Sequence, residues 1–170
     1  MLQIRGIEMK ASELLEEIRE NIKDFDIERF EKILNDESAA DVSKLRAGFH
    51  IQNYNEIMEL NIDDASNREI SDELVNDIKD ELDRFFKGCS PESEEDFKRF
   101  IIYTCIYLSV IAKRPLHPIG IDMHNGKTVF AEEKDGETVY YCDIKEEQSK
   151  IKKDYYTCQY CFCIPSELKK

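Results

Sequence analysis

Six cysteines and three histidines are the side chains of this chain best suited to metal or redox chemistry, and four of the cysteines crowd into the last 29 positions. Cys158-Gln-Tyr-Cys161 is a pair two residues apart, the spacing at which one turn of backbone presents two thiolates to a single tetrahedral ion. Cys163 follows two residues later, Cys142 closes Tyr140-Tyr141-Cys142, and His117 stands in Pro115-Leu116-His117-Pro118. Zinc takes four N or S ligands, and a closed set gives a structural site where three plus water gives a catalytic one. His117, Cys142, Cys158 and Cys161 form the preferred set, with Cys163 as the alternative to His117. Three thiolates and an imidazole on a dication leave one negative charge, which Lys113, Arg114, Lys145, Lys152 or Lys153 is placed to offset. Two other chemistries use the same sulfurs. An iron-sulfur cluster would take Cys142, Cys158, Cys161 and Cys163. A redox dithiol would use Cys158 and Cys161, although neither a helix N-terminus nor a strand-helix-strand pattern stands beside them. Cys89 and Cys105 read as structural.

The elements that must hold these ligands are mostly helical. Leu14, Leu15, Ile18 and Ile22 recur at helical intervals after Ser12, and Ile27, Phe30, Ile33 and Leu34 do so after Asp26. A third helix is expected over residues 40–60, weak around Gly48. Ser71 caps a fourth, with a stripe of Leu74, Ile78, Leu82, Phe85 and Phe86 and a left-handed stop at Gly88. Ser90-Pro91 opens a fifth, apolar nearly all round from Phe100 to Ile111 and therefore the buried centre of the bundle. It ends at Pro115, so His117 lies just beyond the C-terminus of the best-packed element.

Further on, Asp135-Gly136 is the dipeptide of a two-residue hairpin turn. It sets Lys134 opposite Glu137, Phe130 opposite Tyr141 and Val129 opposite Cys142, which returns Cys142 to the base of the hairpin. The fold class is thus mainly α, about five helices around a buried central one, with a C-terminal β-hairpin and a zinc-ribbon-like metal knot. Residues 1–114 form an acidic helical bundle, and residues 115–170 a hairpin and Cys/His subdomain packed on it as one globular unit. Residues 1–10 read as an extension.

Net charge is −13, with 15 basic and 27 acidic side chains up to Lys113 against 9 and 10 from Arg114 onwards. An acidic body repels phosphate backbones over a Debye length of about 8 Å, which argues against a nucleic-acid partner. Residues 100–112 are too few for the roughly 20 that span a bilayer, and the first residues lack the pattern of a secretory signal. A chain of 170 residues buries a core without crosslinks, so clustered cysteines point to metal chemistry in a reducing, cytoplasmic setting.

Pro115-Leu116-His117-Pro118, Tyr140-Tyr141-Cys142 and Cys158-Gln159-Tyr160-Cys161, behind the helical opening Met9-Lys10-Ala11-Ser12-Glu13-Leu14-Leu15, resemble an uncharacterised archaeal family, a domain of unknown function found chiefly in methanogens. The resemblance covers nearly the whole chain and implies no reaction. The chain departs from the family pattern over residues 121–126 and at Asp143. Signatures of phosphate-binding loops, dinucleotide folds, serine hydrolases and zinc proteases are missing from the sequence. Two functions follow from the residues: a structural zinc site in a binding module with a protein partner met by Tyr155, Tyr156, Tyr160 and Phe162, or a metal-dependent enzyme with an open coordination position.

Overall fold

The computed structural model describes residues 7–64, 66–151 and 153–169, without the side chains of Met123 and His124. The chain is mainly helical, with α1 (Ala11–Ile22), α2 (Glu28–Asn35), α3 (Asp41–Glu59), α4 (Asp72–Cys89), α5 (Glu95–Ile106) and a short α6 (Lys145–Lys150). Leu14, Leu15, Ile18 and Ile22 of α1 are all buried. They meet Phe100 and Ile106 of α5 and Ile78 and Leu82 of α4 in one large core. α3 runs unbroken through Gly48, where the third helix was expected to weaken.

Local chemistry explains where the helices begin. The Lys10 backbone N–H donates to Glu13 Oε2 at 2.8 Å, so the cap of α1 falls at Lys10, two residues before the expected Ser12. Ser71 Oγ accepts from the Leu74 N–H at the start of α4. α5 begins at Glu95 and not at Pro91, because residues 90–93 close a turn of their own, with Ser93 N–H donating to Ser90 O. At its other end α5 widens into a π-helical stretch, Tyr107–Ala112, stopped by Lys113 in the left-handed region at φ 52°. Arg68 donates to the Val110 carbonyl there, satisfying an acceptor near the end of the stretch.

Two expectations for α4 are corrected. Val75 is buried where Leu74 was expected, Leu74 is 40 % exposed, and the packed face also carries Glu81, which is 3 % exposed. Gly88 is not a left-handed stop but a helical residue. A Cβ on it would lie 2.7 Å from Tyr155 Cε1, so what Gly88 allows is the close approach of the C-terminal segment.

The strands are more numerous than a lone hairpin. β1 (Glu8–Lys10) pairs antiparallel with β2 (Glu69–Ser71), bringing part of the expected extension into the fold; residues 1–6 lie outside the described residues. β3 (Asp122–His124), β4 (Lys127–Lys134), β5 (Glu137–Cys142) and β6 (Ile164–Pro165) form a four-stranded sheet in that order. The central register pairs Val129 with Cys142, Phe130 with Tyr141 and Lys134 with Glu137, as the Asp-Gly turn requires. Asp135 (φ 52°) and Gly136 (φ 81°) both take the left-handed conformation of that turn. β6 lies parallel to β5, Tyr141 beside Ile164 and Cys142 beside Pro165. The backbone of His124 closes β3.

Candidate functional site

The candidate ligands reach the site on three separate stretches of chain. The π-helical end of α5 and the buried Pro115 and Pro118 fix the segment carrying His117. The Asp-Gly turn fixes β5, and with it Cys142 at the strand's last position. Cys158 lies in a 3₁₀ turn, Thr157–Tyr160, and Cys161 directly follows it. That turn is held against α4 from below: the Tyr156 N–H donates to Glu81 Oε1, and the Tyr155 ring packs edge-on against Phe85 with centroids 5.4 Å apart.

His117, Cys142, Cys158 and Cys161 line one cavity of about 20 Å³, together with Leu116, Val129, Ile144, Lys145 and Thr157. A space of that size admits a water molecule or a single ion and little else. Cys163 does not line it. It is buried in the small core beneath the sheet, with Ile121, Val129 and Cys142. All six cysteines are unpaired by disulfides. Among the described residues no group of three or more His, Cys, Asp or Glu side chains converges closely enough, as placed, to hold an ion.

The electrostatics separate the sulfurs. Burial pushes Cys158 up to about 11, opposed by Lys145 and Lys153. Burial also raises Cys142, against the backbone N–H groups of Ile144 and Lys145. Cys161 is pulled below the usual thiol value, first by hydrogen bonding with Cys163 and then, against its burial, by the N–H groups of Leu116 and Cys163. Cys163 is correspondingly raised. His117 is held neutral by burial and by nearby Arg46, which is the protonation state a metal-binding imidazole needs. Most of these thiols therefore carry their protons in the absence of an ion, and ligation would release them.

Of the basic residues expected to offset ligand charge, Lys145 is the one that lines the cavity. Its Nζ donates to the carbonyls of Cys161 and Cys163, both at 2.7 Å. Arg114 is paired elsewhere, with Glu56, and Lys113 is exposed. Lys152 lies outside the described residues. Cys105 is pushed up to about 12 by burial, the behaviour of a packed thiol, and Cys89 is exposed beside the Tyr155 hydroxyl. The aromatic tail is mostly engaged within the molecule: Tyr155 on Gly88, Tyr156 on Glu81 and Lys145, Tyr160 on the main core. Phe162 is 49 % exposed. Asn53, Glu56 and Arg114 form a polar cluster that the sequence does not announce, because α3 and residue 114 meet only in three dimensions.

With this geometry in hand, comparison with known proteins decides the family. A family model described as "Uncharacterized protein conserved in archaea (DUF2115)" matches residues 10–166. The chain belongs to that family. A UPF0305 protein of Methanocaldococcus jannaschii is 29 % identical over 165 residues, covering 91 % of this chain and 96 % of the relative. A UPF0305 protein of Methanothermobacter thermautotrophicus is 31 % identical over 50 % of this chain and 48 % of its own length. One of Methanococcus maripaludis is 32 % identical over 56 % and 53 %. No solved structure matches the chain. The family places the protein among archaeal sequences with methanogen relatives, and no helix among the described residues is long and apolar enough to cross a membrane.

Proposed function

We propose that this archaeal protein binds zinc through His117, Cys142, Cys158 and Cys161, and that the ion fastens the C-terminal sheet to the helical body as a structural site. One observation carries the reading: four side chains from three separated stretches of chain line the same ion-sized cavity. The donor set, three sulfurs and one neutral imidazole, suits zinc. Lys145 at the cavity wall suits the single negative charge the full set would carry. Four donors fill a tetrahedron, so the protein acts as a binding module for a protein partner and not as an enzyme with an open coordination position. Unpaired cysteines at such a site suit the reducing cytoplasm.

An iron-sulfur cluster is the second reading, favoured by Cys163 standing within hydrogen-bonding reach of Cys161. It exchanges His117 for Cys163 and colours the protein brown.

Thermal unfolding of variants tests the structural role. Cys158→Ser and Cys161→Ser lower the melting temperature far more than Cys89→Ser, and a strong chelator reproduces their effect on the unmodified protein, because a structural ion supplies folding free energy directly. Equal melting temperatures for the three variants contradict it.

A further inference from the structure

His117 has a second face. It also lines an open cleft of about 540 Å³ between α3 and the segment that follows α5, a volume within the roughly 300–1,000 Å³ of small-molecule sites. We infer that this cleft binds a small organic carboxylate with an apolar body, a role that stands independently of whether the thiol cavity holds an ion.

Charge is the first argument. Asp and Glu make up 37 of the 170 residues, yet none is among those lining the cleft, whose charged members are Lys44 and Arg114. Preorganisation is the second. Arg114 Nη2 donates to Glu56 Oε2 at 2.8 Å and to Asn53 Oδ1 at 3.3 Å, and the Tyr107 hydroxyl holds the other Glu56 oxygen. The guanidinium and the amide are thus oriented before any ligand arrives, which lowers the entropy cost of binding. Two of their donors, Arg114 Nε and Asn53 Nδ2, are buried and have no partner among the described residues, although Asn53 as a whole is only 2 % exposed.

These features also select the anion. Glu56 already balances Arg114, so Lys44 supplies the net positive charge, which matches a singly charged carboxylate better than a dianionic phosphate. Phe49, Leu108 and Tyr140 form the apolar lining, and Leu45 and Ile119 leave apolar surface exposed at the cleft, 39 % and 52 %. That surface is what an aryl or alkyl body would cover.

The test is calorimetric titration of the full chain with phenylacetate and hexanoate, with phenylacetamide and phenyl phosphate as comparisons. The expected result is saturable one-to-one binding of a carboxylate, weakened about tenfold or more in the neutral amide and in Lys44→Gln, whose melting curve matches that of the unmodified protein. Arg114→Gln is expected to abolish binding, but it also cuts the Glu56 and Asn53 contacts, so Lys44→Gln is the deciding variant. Absence of binding by both carboxylates, equal affinity for the amide, or tighter binding of phenyl phosphate each overturns the assignment.

Discussion

The helical body and the C-terminal sheet solve the same problem with different means. The body gathers eighteen buried apolar residues from α1 to the end of the π-helical stretch into a single core. The sheet has four, and two of those are Cys142 and Cys163. A core that small does not offset the entropy of ordering four strands, which is why small folds add metals or crosslinks, or lean on a larger neighbour. Here the sheet and its C-terminal segment do lean: the Tyr155 ring lies on Gly88, the Tyr156 N–H reaches Glu81, and Tyr160 packs on the main core. The contrast teaches that cysteines in the C-terminal third stand where a self-sufficient domain would carry leucine and isoleucine. Their place in the interior goes with the role proposed for them.

Breaking the body should be the costlier act and should not depend on metal. Ile18 is fully buried on α1, so Ile18→Ala is expected to cost about 2–5 kcal/mol in denaturant unfolding. The same cost should appear with and without chelator, since a distant core residue adds independently to the loss of an ion. A cost that shrinks sharply in chelator would mean that the two regions unfold as one metal-dependent unit.

Acid probes the body a second way. His50 is stacked on Phe30, with centroids 4.7 Å apart, and burial, then Arg46, hold its pKa down to about 4. A base whose folded pKa is depressed contributes nothing adverse above its unfolded value of about 6.5. As pH falls from there towards 4, the unfolded chain takes up a proton that the folded chain refuses, and stability is lost by up to about 3 kcal/mol. The slope of unfolding free energy against pH between 6.5 and 4 measures this share. His50→Gln should flatten it.

The join between the regions gives the smallest effect. Gly88→Ala sets a methyl against the Tyr155 ring and is expected to cost about 1–3 kcal/mol. In a Tyr155→Ala background the same change should turn neutral or stabilising, because alanine is the better helix former by about 1 kcal/mol. A thermal-melt double-mutant cycle with no coupling between the two sites would show that the C-terminal segment does not rest on α4 in solution.

What the sequence disclosed followed from how local each signal was. The Asp135-Gly136 turn specifies its own register, so the pairing of Val129 with Cys142 was readable from a dozen residues. The apolar run through Phe100 and Ile106 announced a buried helix for the same reason. On α4 the buried Glu81 was not legible, because Arg84 stands one turn along the same helix but its other partner, the Tyr156 N–H, lies 75 positions away. β1 with β2 and β5 with β6 pair over only three and two residues, too short for an alternation to show. Spacing suggested Cys158 and Cys161 as a unit, and it could suggest His117 and Cys142 only as companions. That all four line one cavity depends on the Pro115 to Pro118 bend and the hairpin return together. The cleft was invisible, since Asn53 and Arg114 lie 61 positions apart and meet through a bond of 3.3 Å.

The metal content of protein purified without air puts the central claim to the most direct test. The account predicts a colourless protein carrying one equivalent of zinc, reduced to a trace in Cys158→Ser and Cys161→Ser and unchanged in Cys89→Ser. Protein that carries no metal after purification and takes up none from added zinc, or zinc retained equally by all three variants, would contradict it.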